Sequence, residues 1–542
     1  MRPHRLRSNG DRTSAADVEV GGQGAAKMGG TQLTLEPGVP MLPSTFLRFV
    51  SAILVAATFS VANAEDTSKD RPQNAAERQA AEKGVLRLLP ADSVTEHTID
   101  TPRGKLAYTA TAGTLAFFDQ SGVQSASVFY TAYVQKDGAK NRPLTFVFNG
   151  GPGAASAFLH LGLVGPRVLD FGPDGRDAAR ASLRDNPDTW LAFTDLVLID
   201  PIGTGWSRAV KSDDAKHFWG VSSDADSMAK AVALYIAKNN RADSPKYLFG
   251  ESYGGFRAAK TARALQRDQG IVVAGIVMLS PLLEGWLTFG DDSSALRAAL
   301  QLPSLAAAEL ERRKVFTPDA LAAAEKFAMT DYLVILAGPQ LKGNESSTFY
   351  QRVAQMTGLP LDAVTQARGF AANAYVKTLR SDERKIVSQY DASFAADDPY
   401  PERRSSRSPD PILDAISRAY GGAMATYARN ELGFQTDMTY ALLAGDVTGR
   451  WDWQGGRLQA SAEDDLRVLL AYGPSFRLMI AHGYSDMITP YGMTRYIIDH
   501  MPALDPPGRV QLKLYRGGHM LYLDPQSRKA FSADAATFYR AE

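Results

Sequence analysis

The chain has 542 residues, 45% of them hydrophobic, and its 59 basic side chains are balanced by 59 acidic ones. That balance argues against nucleic acid as the main partner, because phosphate binding leaves a basic excess or stripe. The lack of cysteine removes thiol nucleophiles, Cys-ligated zinc and disulfides together. Residues 1–40 are polar and Gly-rich without periodicity, and read as a disordered extension or a mis-assigned start, with Met41 as the true one. The next stretch, "MLPSTFLRFVSAILVAATFSVANAED", holds Arg48, an apolar run from Phe49 to Val61 and then Ala62-Asn63-Ala64. This is the charged start, short apolar core and A-x-A site of a secretory signal peptide over 41–64. The run is short for a bilayer span, although an uncleaved anchor is the alternative. No second run of about 20 apolar residues follows, so a soluble, exported and periplasmic protein is expected.

Residues 65–96 are charged and Ala-rich and read as a linker. From His97 to Lys136 apolar and polar residues alternate between Gly and Asp-Gly breaks, which predicts antiparallel strands. Short, nearly continuous apolar runs follow: "LTFVFNGGPG", "LVLIDPIGTGWS", "YLFGESYGG", "IVMLSP", "FRLMIAHGYSD" and "VQLKLYRGGH". Each ends in a loop containing Gly, Pro or Asp, and helical text separates several of them. That alternation predicts an α/β fold with a mostly parallel sheet buried on both faces. Between 284 and 459 the alternation lapses into Ala-rich helical text, read as a cap inserted between core segments 97–283 and 460–542.

The loops at the strand ends carry the chemistry. Gly250-Glu251-Ser252-Tyr253-Gly254 is a G-x-S-x-G pentapeptide between a strand and a helix, the setting of a nucleophile elbow. A plain turn serine is the alternative. Three of the seven histidines follow Ser252. His519 lies in a loop just past a strand and is the candidate base, whereas His482 reads as structural and His500 as a helix-end residue. Asp486, at the preceding strand end, is the candidate acid that orients the imidazole. It also fits a helix N-cap, and Asp524 is the alternative acid. In "FNGGPGAAS" the Gly pair can present the Gly151 N–H to an oxyanion, with the N–H of Tyr253 as the second donor. A phosphate loop is disfavoured there, because no G-K-[ST] follows and Pro152 lacks an N–H.

In this order the segments resemble the serine carboxypeptidases, an α/β-hydrolase family. "FNGGPGAAS", "NPDTWLAFTDLVLIDPIGTGWS", "GESYGG", "HGYSDMITP" and "GGHM" carry the resemblance, from Asn149 to His519. It implies Ser252, Asp486 and His519 as the triad, with no cofactor and no metal. It further implies that Asn149 and Glu251 grip the C-terminal carboxylate of a peptide. A glutamate can hydrogen-bond that carboxylate only if one of the two is protonated. The chain departs from the family pattern at Val147, Ala154 and Leu163, where a tryptophan, a cysteine and a second glutamate are expected. The expected activity is therefore a serine carboxypeptidase acting on peptides. An esterase, aminopeptidase or acyltransferase on the same fold is the alternative, and a catalytically idle binding protein is the rival from another class. Two aromatic stretches, "DPIGTGWS" and "WDWQGG", are read as either pocket walls or packing.

Overall fold

The computed structural model describes residues 84–540 apart from 173, 174, 176, 404–408 and 504. The expected extension, the signal peptide and the linker up to residue 83 lie outside the described residues. The alternating text forms β1 (Ser93–Thr101), β2 (Gly104–Phe118) and β3 (Gln124–Gln135), paired antiparallel in that order. Strand β1 thus begins inside the stretch read as linker. Next come β4 (Leu144–Phe148), a small antiparallel pair β5 (Arg167–Asp170) and β6 (Ser182–Asp185), β7 (Asp195–Ile199) and the two-residue β8 (Arg208–Ala209). Strands β9 (Lys246–Glu251) and β10 (Gly275–Leu279) complete the first part. A short hairpin, β11 (Lys385–Val387) and β12 (Ala395–Asp397), precedes β13 (Arg477–Gly483) and β14 (Val510–Tyr515).

The main sheet runs β1-β2-β3-β7-β4-β9-β10-β13-β14, with β8 also on β3. From β7 to β14 all neighbours are parallel. Strands β4, β7 and β10 are buried along their whole length, as near-continuous apolar runs require. Successive residues divide between two cores, because side chains of a strand alternate between faces. Phe146, Leu248, Ile276 and Leu478 join one core, with Met228, Val232, Ala258 and Ala262 of helices Val221–Lys238 and Tyr253–Asp268. Val147, Phe249, Val277 and Met479 join the other, with Phe531 and Ala535 of helix Pro525–Arg540.

Between β10 and β13 the chain is largely helical, and it packs a core of its own around Leu302, Leu305, Phe327, Tyr332, Phe349, Val353 and Tyr375. The hairpin of β11 and β12 lies within this insertion, where only helix was expected. Its three-residue strands are too short to show a period in the sequence.

Register decides where the loops emerge. Phe148 pairs with Gly250, Glu251 with Leu279, Leu279 with Ala481, and Gly483 with Tyr515. The residues that follow β4, β9, β10, β13 and β14 therefore leave one edge of the sheet. At the opposite edge Asp195 is buried between two arginines: it accepts from Arg142 and, at 2.7 Å, from Arg241 Nη1, and takes the Gln135 N–H at 3.1 Å. These bonds join β3 and β7 to the loops before β4 and β9. Asp195→Ala leaves both guanidinium groups without this partner, and is expected to lower the unfolding free energy by about 3–5 kcal/mol in urea melts. A loss within about 0.5 kcal/mol would show that the arginines find solvent instead.

Candidate active site

Ser252 sits between the end of β9 and helix Tyr253–Asp268, with φ 60° and ψ −125°. A non-glycine residue holds such a conformation only where its surroundings enforce it. Here the Ser252 N–H donates to Leu279 O at 2.9 Å, and its carbonyl accepts from Gly255 and Leu282 at 3.0 and 3.1 Å. The turn is tight enough that a Cβ at Gly250 would lie 1.9 Å from Gly254 O, so a side chain has no room there.

Asp486 and His519 meet in a bond of 2.9 Å between Oδ2 and Nδ1, both side chains being buried. The other carboxylate oxygen accepts the N–H groups of Ile488 and Thr489 at 2.8 and 3.0 Å. Asp486 thus caps a turn with one oxygen and holds the imidazole with the other. Thr489 Oγ1 lies 2.9 Å from Asp486 Oδ2, 3.2 Å from His519 Nδ1 and 2.9 Å from Ser280 O. It ties the pair to the loop after β10, the strand whose Leu279 also holds Ser252. The Ser252 hydroxyl itself makes no hydrogen bond to His519 in this structure.

Burial acts against the charged form of both partners. For Asp486 the opposing pull of His519 wins and holds the carboxyl below its ordinary range. For His519 the charge and hydrogen bond of Asp486, helped by Glu251, outweigh burial and raise the imidazole.

The other two histidines after Ser252 and the alternative acid have hydrogen-bond partners outside the Asp486–His519 pair. His482 is buried, bonded to Thr494 at 2.8 Å. His500 bonds Tyr496 O at the end of its helix. Asp524 accepts from Ser527 N and Oγ at the start of helix Pro525–Arg540.

After β4, Gly151 is exposed and its N–H, like that of Tyr253, donates to no other group among the described residues. Two unengaged amides beside a serine offer sites for a developing oxyanion. The loop is held from several sides. Asn149 O accepts from the buried Arg257, which also pairs with Asp224 at 2.6 Å. Ala444 N donates to Gly153 O at 2.8 Å, and Thr448 Oγ1 to Pro152 O at 2.5 Å. Asp200 Oδ1 accepts Ser156 N and Oγ, both at 2.8 Å.

Glu251 points to the same place. It is 4% exposed, accepts Asn149 Nδ2 at 2.6 Å, and lies 3.2 Å from Tyr522 OH through each oxygen. Asn149 Oδ1 is taken by the Leu159 N–H at 3.0 Å. Burial pushes the Glu251 carboxyl up to about 7, against the opposing pulls of His519, Tyr522 and Asn149. Leu163 is fully buried among apolar neighbours.

The insertion contributes groups that the motifs did not reveal. The Tyr390 carbonyl accepts the backbone N–H of His519 at 2.6 Å, and its ring meets the imidazole edge-on at 5.3 Å. A Cβ at Gly518 would lie 1.9 Å from that carbonyl, so the second glycine of "GGHM" makes room for the passing segment. Trp451 and Trp453 of "WDWQGG" stand edge-on to the Tyr253 ring at 5.2 and 5.5 Å. Trp206 of "DPIGTGWS" is packed among Phe129, Phe434 and Tyr440, which settles that tryptophan as core. Thr489 alone had a local signal, a hydroxyl three residues past an aspartate.

Residues 106–278 match the serine carboxypeptidase family. Serine carboxypeptidase-like 44 of Arabidopsis thaliana is 28% identical over 167 residues, 29% of this chain and 33% of the relative. The pheromone-processing carboxypeptidase of Yarrowia lipolytica is 31% identical over 150 residues, 27% of this chain and 22% of the relative. The chain thus spans about a third or less of the length of these curated relatives. Among solved structures, the prohormone-processing carboxypeptidase of Saccharomyces cerevisiae superposes with a TM-score of 0.51 at 14% identity. The superposition covers 80% of this chain and 91% of that one, and so bears out the α/β-hydrolase fold.

Gly518→Ala tests the hold of the insertion on His519. It is expected to slow fluorophosphonate labelling of Ser252 by about a hundredfold through displacement of the imidazole. A parental labelling rate in a folded variant would contradict that hold.

Proposed function

Through residues 106–278 the chain is a divergent relative of the serine carboxypeptidases, and from that premise we propose that it releases single amino acids from the C-terminus of peptides. The Ser252 hydroxyl attacks the carbonyl carbon of the last peptide bond while His519 Nε2 takes its proton. Asp486 on Nδ1 keeps Nε2 free to accept. The tetrahedral oxyanion is held by the N–H groups of Gly151 and Tyr253. The C–N bond breaks as His519 returns the proton to the leaving amine. Water, deprotonated by the same imidazole, then hydrolyses the acyl-enzyme.

The single observation that carries this reading is Glu251 with Asn149. Glu251, one residue before the serine, accepts a hydrogen bond from the Asn149 amide, and burial raises its carboxyl to about 7. A neutral carboxyl and an amide are hydrogen-bond donors for a carboxylate, whereas an ionised Glu251 repels it. The site therefore favours peptides with a free C-terminus in acid and near-neutral solution, and loses hold of them as pH rises through about 7. Leu163 is the observation that favours the second reading, an esterase or other acyl hydrolase on the same fold, because an apolar side chain gives a carboxylate nothing to bond.

Residues 41–64 support export and a periplasmic location, with peptides rather than nucleic acid as partners. Among the described residues no helix is long and apolar enough to cross a membrane.

A peptide with a free C-terminus is expected to be cleaved about a hundredfold or more faster than its amidated twin at pH 6. Equal rates would favour the second reading. Glu251→Gln is expected to keep its activity on the free peptide above pH 7, since an amide donates without being protonated. A pH profile that overlays the parent would remove Glu251 from this role. Ser252→Ala should abolish fluorophosphonate labelling, and an unlabelled parent would instead indicate an idle binding protein.

A further inference from the structure

Tyr522 lies three residues past His519, is 1% exposed, and sets its hydroxyl 3.2 Å from both oxygens of Glu251. Its ring occupies space left by Gly162: a Cβ there would fall 2.5 and 2.7 Å from two Tyr522 ring carbons. The neighbouring Leu163 brings no polar group, so segment 157–164 supplies Glu251 with no acid. The ionisable groups facing Glu251 are His519 and Asp486 across the site, Tyr390 from the insertion, Tyr420 from helix Ala419–Asn430, and Tyr522 itself. Among the described residues only Asn149 and Tyr522 donate side-chain hydrogen bonds to the carboxylate.

The two protonation states of Glu251 use these donors differently. An ionised carboxylate accepts both bonds and is held by the protein. A protonated one can turn its O–H toward a ligand carboxylate while its carbonyl oxygen still accepts. We propose that Tyr522 is a positioning residue that sets the pH range over which Glu251 takes up the C-terminal carboxylate of a peptide, an inference that rests on the role given to Glu251 above. The phenol O–H favours the ionised carboxylate and so pulls its titration down from where burial alone would leave it. Burial and Glu251 push the phenol's own ionisation far above its ordinary range, so it remains a donor throughout.

Removing the hydroxyl leaves Glu251 protonated to higher pH, which extends binding of free C-termini upward. Tyr522→Phe is therefore expected to move the alkaline limb of kcat/KM for a free peptide up by about one pH unit, mainly through KM. An activated ester without a carboxylate should show no such shift of an alkaline limb, and in a Glu251→Gln background the same substitution should leave the limb unchanged. A limb that stays in place or moves down overturns the inference, as does an equal shift for the ester. If Tyr522→Phe does not fold, a fluorotyrosine at position 522, a stronger donor of similar shape, should move the limb down; movement upward overturns the proposal. The outcomes separate from those of the carboxypeptidase reading. A parent that cleaves free and amidated peptides alike removes that reading, whereas a parent that prefers the free peptide while Tyr522→Phe leaves its limb unmoved removes only the role of Tyr522.

Discussion

Burying a carboxyl beside Ser252 is the constraint on which the rest of the site depends. Moving Glu251 from its ordinary 4.5 to about 7 corresponds to about 3 kcal/mol against its ionised form. The fold accepts that penalty because the residue is fixed by register: Glu251 ends β9, between β4 and β10, and its backbone belongs to the ladder. Its side chain is then satisfied by groups from two other strand ends, Asn149 after β4 and Tyr522 after β14. The same register that positions Ser252 thus produces a carboxyl that is neutral in weak acid. In the proposed function, the nucleophile and the group that reads a carboxylate come as one unit from adjacent residues.

The proton chemistry follows from a second balance. His519 and Glu251 act on each other: protonated His519 favours the ionised glutamate, and the ionised glutamate raises the imidazole. In the proposed reaction, attack by Ser252 requires the imidazole neutral, whereas carboxylate binding requires Glu251 protonated. The two groups share their titration, so the pH dependence proposed for cleavage of a free peptide belongs to the pair. Asp486 favours the charged imidazole, and Tyr522 acts on the glutamate side.

Much of the frame was legible in the sequence because its signals are local. Continuous apolar runs mark strands buried on both faces, and glycines around Ser252 mark a turn with no room for a side chain. Asp486 and His519 follow from strand order and chain order alone. Other contributors depend on contacts between segments distant in sequence. Tyr390 reaches His519 from the insertion, Thr448 holds Pro152 from near its end, and Arg257 grips Asn149 O from beneath. No spacing rule reports such contacts. Tyr522 is close to a legible histidine, yet its meaning comes from Gly162 on another segment. The β11–β12 hairpin escaped notice because three residues cannot establish a period.

In the proposed function Asn149 and Glu251 face the C-terminal carboxylate of a bound peptide. The most direct test is a crystal structure of Ser252→Ala grown near pH 5 with an uncleaved peptide. The terminal carboxylate is expected within hydrogen-bonding distance of Asn149 Nδ2 and a Glu251 oxygen, with the last carbonyl beside the amides of Gly151 and Tyr253. A peptide bound with its N-terminus or an internal segment at Glu251 would contradict it.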